Sequence, residues 1–242
     1  MGNKVVGTTS VKLGIYEQSN DSQLAGMVGD KKEFEDGRIF RLCKNGGTAL
    51  KAGILVQAIV SLASDDSIEI ATSQSIGDYE VNVTADATSE HAVHTLAGGY
   101  LVMSDTTGDI GTFYKIKDNE ALVDGSNGII TLYDPLTTAI VAGTNECSFC
   151  VNPYSGVIID ANTAQLVGVP LIAVTADYYF WALEEGYGPG VDSGSGIAAG
   201  DYVEHSGGDL LTYAGVAENP CGIAVTALAA NEAGIIKYFD MG

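Results

Sequence analysis

From about Leu50 onward the chain runs in short stretches of apolar and polar residues, separated by clusters of Gly, Asn, Asp and Ser. Tyr79-Glu80-Val81-Asn82-Val83-Thr84 is representative. Successive side chains of a strand point to opposite faces, so this run places Tyr79, Val81 and Val83 together on a buried face. The same pattern predicts strands at 53–59, 67–72, 78–84, 100–104, 112–116, 129–133, 156–159, 171–174, 178–182, 201–205, 209–213, 222–225 and 234–239. They are short and rich in Val, Ile, Tyr and Thr, the residues that suit a pleated, half-buried surface. Two segments, 87–96 and 225–233, are long enough for two or three helical turns, but neither carries a long apolar stripe. The expected fold is therefore all-β, with small barrel or sandwich lobes and at most one or two short helices.

Residues 1–46 read differently. They are polar and dotted with glycine, with one apolar stretch from Ile39 to Leu42. We expect an extended N-terminal arm here that orders against a partner, followed by a β-rich lobe over 47–165 and a C-terminal β lobe over 166–242. Charge follows a similar boundary. Residues 1–51 hold eight of the 11 basic residues and six acids, whereas the other 191 hold three bases and 25 acids. The net charge of −20 disfavours nucleic acid and anionic membranes as partners. A hydrophobic content of 46% argues against a disordered chain. Met1-Gly2-Asn3-Lys4 is not followed by the apolar core of a signal peptide, which predicts synthesis in a cytoplasm.

Ala-Gly occurs seven times, at 25, 52, 97, 142, 199, 214 and 233. Composition alone gives roughly 3.5. Three copies precede apolar runs, which suggests a glycine turn reused to start strands rather than a true repeat array.

No motif builds a convincing reactive centre. Cys147-Ser148-Phe149-Cys150 is a single C-x-x-C, whereas zinc needs four ligands. On a strand its two sulfurs face opposite ways. The four cysteines therefore read as buried thiols, with a metal site or a disulfide through Cys43 or Cys221 as alternatives. His91 and His94 share a face if 87–96 is helical, and read as solvated. Asp192-Ser193-Gly194 matches an aspartic-protease triplet, but that chemistry needs a second such aspartate. With Gly186, Gly188, Gly190 and Gly196 around it, it reads as a surface glycine loop. Asp105, Asp109, Asp118, Glu120 and Asp124 fit no EF-hand spacing and read as solvated acids. Asn20-Asp21-Ser22 and Asn82-Val83-Thr84 match the glycosylation acceptor, which we take as coincidence. Tyr178-Tyr179-Phe180-Trp181 is the densest aromatic patch, and Tyr178, Tyr179 and Trp181 suit a core or a subunit contact. We expect no metal, no cofactor and no catalysis.

The last third adds a resemblance. The run from Leu171 to Trp181 leads into a glycine-rich segment, followed by Ala199-Gly200-Asp201-Tyr202-Val203, Gly222-Ile223-Ala224-Val225 and Ala233-Gly234-Ile235-Ile236. This order resembles the capsid decoration, or cement, proteins of tailed phages. The resemblance covers about residues 165–242, with a looser echo over 47–56, and does not extend to 57–165. It implies a β-rich, non-enzymatic protein of the virion, made in the host bacterial cytoplasm. Such a protein sits on the outer surface of the major capsid protein lattice and stabilises the head. It also implies a symmetric homo-oligomer, with a trimer favoured and a dimer also fitting. Lys31, Lys32, Arg38 and Arg41 are then the candidate capsid contacts. The alternative is a fibre or tail component or a carbohydrate-binding β module, with Tyr178, Tyr179 and Trp181 as the sugar platform.

Overall fold

The computed structural model describes residues 12–22, 26–86, 88–104, 110–215 and 220–241. The fold is all-β, and the chain forms two compact units. One combines the chain up to Val60 with the chain from Pro153 onward; the other is Ser61–Asn152. The expected boundaries at 46/47 and 165/166 differ from this division. The smaller unit is an insertion in the larger one.

In the larger unit the organising element is the 13-residue strand β13 (Tyr179–Val191). Its first half pairs antiparallel with β3 (Ile39–Asn45) and with β12 (Leu166–Pro170). β12 pairs with β4 (Val56–Gln57), β4 with β11 (Ser155–Ile159), and β11 runs parallel to β3. Ladder pairing thus returns to its starting strand and closes a five-stranded barrel. Its core holds Cys43, Leu50, Val56, Val157, Val167, Phe180 and Ala182. The second half of β13 pairs with β17 (Ala233–Tyr238), which continues through β16 (Gly222–Ala224), β14 (Tyr202–Ser206) and β15 (Asp209–Thr212). A parallel bridge between Asp192 and Leu210 closes this second ring. Its core includes Phe40, Leu42, Trp181, Leu183, Val203, Leu210, Ile236 and Tyr238. Two short strands complete the unit: β1 (Gln18–Ser19) pairs with the start of β13, and β2 (Lys31–Glu33) with β3.

Residues 31–45 are therefore part of the body, not an extended arm. Ile39-Phe40-Arg41-Leu42 alternates, with Phe40 and Leu42 fully buried and Arg41 on the other face. That alternation is the signature of a strand with one face in a core. Residues 1–11 lie outside the described residues.

The glycine-rich stretch after Trp181 is strand as well. A Cβ at Gly188 would stand 2.2 Å from Leu183 Cδ2, and one at Gly190 would stand 2.4 Å from Leu210 Cδ1 and 2.7 Å from the Tyr238 hydroxyl. Large side chains, Leu183 of β13 itself and Leu210 and Tyr238 of neighbouring strands, fill this face of β13, so glycine is required there by space rather than by a turn.

The smaller unit is an antiparallel barrel. Its order is β5 (Ile68–Glu69), β10 (Glu146–Cys150), β7 (Tyr100–Met103), β8 (Phe113–Asn119), β9 (Asn127–Leu132) and β6 (Glu80–Thr84). An Ile70–Val83 bridge, with the Ala71 amide donating to the Asn82 carbonyl at 2.8 Å, joins the two ends of this order. The core includes Ile70, Val81, Val83, Leu96, Leu101, Ile116, Ile130 and Cys147.

Neither of the two segments long enough for a short helix forms one among the described residues. Described residues of 87–96 are bends and turns around a bridge at His91, and 225–233 turns around a bridge at Leu228 before β17. One 3-10 turn, Ala63–Asp65, is present among the described residues.

One local device recurs in both units. Leu50 pairs with Val174, Gln74 with Ile140, His91 with Leu122, and Ile197 with Leu228, each as an isolated antiparallel bridge. Each pair exchanges both backbone hydrogen bonds. Three residues after every bridged position the backbone has positive φ, at Gly53, Asp177, Gly77, Gly143, His94, Gly125, Gly200 and Asn231. The chain thus turns two corners at once, back to back. Six of the seven Ala-Gly glycines have positive φ, and Gly53, Gly143 and Gly200 sit at these corners. Glycine, or Asn and Asp after it, is the residue that adopts this conformation at least cost. The Ala-Gly recurrence marks turns and not a repeat of the whole fold.

Candidate functional site

The basic residues proposed as contacts are placed by β2, β3 and, for Arg38, the turn between them, and most of their charge is matched internally. Lys32 is buried. Its Nζ donates to the Leu13 carbonyl at 2.9 Å and lies 4.3 Å from the centre of the Trp181 ring. Burial pulls its pKa below the ordinary lysine value, against an opposing pull from Glu17. Arg41 Nε donates to both oxygens of the buried Glu184, at 2.8 and 2.9 Å. Arg38 pairs with Asp36 at 2.8 Å and lies over the rings of Phe34 and Phe40. Lys31 is the one of the four with a largely exposed head, 3.7 Å from Glu33.

The aromatic patch is internal too. Trp181 is 1% exposed, and its indole N–H donates to the same Leu13 carbonyl at 2.9 Å. Tyr178 and Tyr179 are half-buried and pack on the two cores. Trp181 is thus a core residue and offers no sugar platform.

Other groups of chemical interest are likewise tied into the framework. On β10, Cys147 is buried and Cys150 half-buried on the opposite face, as a strand requires. All four cysteines are free thiols. Burial raises the pKa of Cys43 and Cys150, and pushes Cys147 and Cys221 up to about 12. Such thiols are poor nucleophiles. His91 and His94 do not share a face. His91 Nε2 meets the buried Asp65 at 2.9 Å, whereas the exposed His94 meets Asp118 at 2.7 Å. His205 Nδ1 lies 2.8 Å from Asp160.

Asp192, expected in a surface loop, is 1% exposed. One carboxylate oxygen accepts the amides of Gly194, Gly196 and Asn231 at 2.8, 3.0 and 3.3 Å. It fastens the exposed loop that follows β13. Burial raises its pKa, but these amides outweigh burial and hold the carboxyl below the usual carboxylate value. Of the acidic group near 105–124, Asp105 and Asp109 lie outside the described residues. Among the described residues no three His, Cys, Asp or Glu side chains form a metal-binding group.

Two surface features lie on the smaller barrel. One is a shallow apolar groove of about 180 Å³ lined by Tyr100, Leu101, Val102, Phe113, Ser148, Phe149 and Cys150. Tyr100 and Phe113 stack there with ring centres 5.2 Å apart. The other is a polar cleft of about 360 Å³ at the seam that closes the barrel, lined by Thr72, Gln74, Asp78, Tyr79, Glu80, Asn82 and Ile129. Sequence reasoning missed both. For the cleft, the pattern placed Tyr79 on the buried face with Val81 and Val83. The strand begins one residue later, at Glu80, and Tyr79 leaves the preceding corner 51% exposed.

The cleft is built by backbone pairing. Gln74 is a bridged corner residue, and the turn 75–78 is tied by the Ser75 amide donating to Asp78 Oδ2 at 2.7 Å. Glu80 and Asn82 project outward from β6, and Asn82 stands opposite Ile129. Gln74 Nε2 donates to Thr72 Oγ1 at 2.8 Å. The amide oxygens of Gln74 and Asn82 are buried without a hydrogen-bond partner.

Comparison with known proteins returns nothing: no family, no curated protein and no solved structure matches this chain. No described helix is long and apolar enough to cross a membrane.

Proposed function

We propose that this chain is a non-enzymatic structural protein of a tailed-phage virion, one that binds the outer surface of the major capsid protein lattice and stabilises the head. One observation carries the reading. The four segments that resemble decoration proteins are not scattered in the fold. They enter β13, β14, β16 and β17, which are consecutive neighbours in the order β14-β16-β17-β13 of one ring. Two features are compatible with it. Closed rings leave few free strand edges, which suits a protein held at high density on a shell. The charge of −20 repels packaged DNA and keeps a crowded particle soluble. In this reading Lys31, the most exposed of the four basic candidates and paired only with the exposed Glu33, meets the lattice, and a homotrimer at a local three-fold matches the shell's symmetry.

The test is co-sedimentation with undecorated capsids of the phage that encodes the chain. Full-length protein, protein lacking residues 1–11 and Lys31→Glu would be compared. Removing residues up to 45 is not informative, because β3 is a central strand. Saturable binding at a stoichiometry set by the lattice is expected, with weaker binding by Lys31→Glu. No binding at micromolar protein contradicts the proposal.

A further inference from the structure

We propose that the seam cleft of the smaller barrel binds a neutral saccharide, with Tyr79 as the stacking face and Gln74, Asp78, Glu80 and Asn82 as hydrogen-bond acceptors. At about 360 Å³ the cleft is of a size to hold a small ligand; such pockets run from about 300 to 1,000 Å³. Its lining selects among ligand classes.

Two carboxylates and no basic residue line it. The unit around it has fourteen acids and two bases, so anionic ligands such as phosphates are repelled. A purely apolar ligand would cover the Asp78 and Glu80 carboxylates without offering them a donor, and an unpaired charge shut away from water is costly. For a hard cation the cleft offers no preformed cage: its two carboxylates belong to no group of three metal-ligating side chains among the described residues, and Asp78 already accepts the Ser75 amide.

A sugar meets all of these demands. Its hydroxyls donate to the Asp78 and Glu80 carboxylates that line the cleft, and in this proposal the Gln74 and Asn82 side chains turn on binding so that their oxygens, buried and unpaired in the free protein, accept as well, Gln74 giving up its bond to Thr72. Its C–H face covers the exposed Tyr79 ring and Ile129, where an aromatic residue has an apolar face and a polar tip.

The experiment uses the full-length protein free in solution, so its result does not depend on the capsid proposal. Saturation-transfer NMR would be recorded with maltotriose, cellotriose, chitotriose and lactose at millimolar concentration. Transfer to at least one saccharide is expected. Tyr79→Ala should weaken binding about tenfold or more, equivalent to roughly 1.4 kcal/mol, and Asn82→Ala should weaken it as well. Tyr187→Ala removes a similarly exposed ring from the larger unit and should leave binding unchanged. Both exposed tyrosines can be lost without opening a core, which circular dichroism melting would check. Absence of transfer from all four saccharides overturns the proposal. So does transfer that Tyr79→Ala leaves intact, or a response to calcium chloride alone.

Discussion

At Gly190 three side chains from two other strands, Leu210 of β15 and Ile236 and Tyr238 of β17, occupy the place where a Cβ would go. At Gly143 nothing but the tip of Glu69, 3.7 Å away, approaches that place, yet φ is +66°. The two glycines are held by different forces, and alanine separates them. Gly190→Ala must displace Leu210, Ile236 or the Tyr238 hydroxyl, and overpacking of this kind costs about 1–3 kcal/mol or more. Gly143→Ala meets open space and pays only for the left-handed backbone, about 1–2 kcal/mol. Urea denaturation should rank Gly190→Ala as the more damaging. The thiols give a second residue-scale test. Cys43, Cys147 and Cys221 are buried with raised pKa, whereas Cys150 is half-buried. Iodoacetamide at neutral pH should alkylate at most Cys150 in the native protein and all four thiols in urea, as read by mass spectrometry.

At the scale of elements, two buried carboxylates fasten loops to strands. Asp192 ties the loop after β13. Asp160 follows β11, accepts the Asn162 amide at 3.0 Å and faces His205. Burial raises the Asp160 pKa, but the His205 contact and nearby amides outweigh it, so both carboxyls titrate below the ordinary value. A depressed carboxyl stabilises the fold at pH above its unfolded pKa, about 3.9, and that stability is lost as pH falls through the folded value. Unfolding free energy should therefore be level near neutrality and fall below about pH 4. Asp192→Ala should cost about 1–3 kcal/mol at pH 7 and make the acid limb shallower. Urea titrations at pH 7 and pH 3 check both.

The elements were legible in the sequence where alternation was undisturbed, as in Asn82-Val83-Thr84. They were not where other demands overrode it. Gly186-Tyr187-Gly188-Pro189-Gly190 reads as a loop because glycine usually marks one, yet here glycine makes room for Leu183, Leu210 and Tyr238. Phe40 and Leu42 carried a period-two signal that surrounding Lys and Arg obscured, since Lys32 and Arg41 find their partners in Leu13, Trp181 and Glu184, remote in sequence. The cleft was illegible for a related reason. Its position depends on the Ile70–Val83 bridge that closes the barrel, and a single strand's pattern does not report which strand it meets.

For the whole molecule, the insertion of Ser61–Asn152 between β4 and β11 has a direct consequence. Each unit has its own buried cluster and closed pairing, so each should fold as its own cooperative body. A chain of residues 61–152 should give a sigmoidal thermal transition and dispersed amide resonances. A collapsed spectrum would show that the smaller barrel depends on the rest. The central claim, that the protein cements a capsid, is tested most directly by calorimetry of the shell itself. Undecorated tailed-phage capsids would be scanned alone and with saturating protein. The decorated shell should melt at a higher temperature, rising with occupancy as binding to the folded lattice stabilises it. An unchanged shell transition under saturating protein would contradict it.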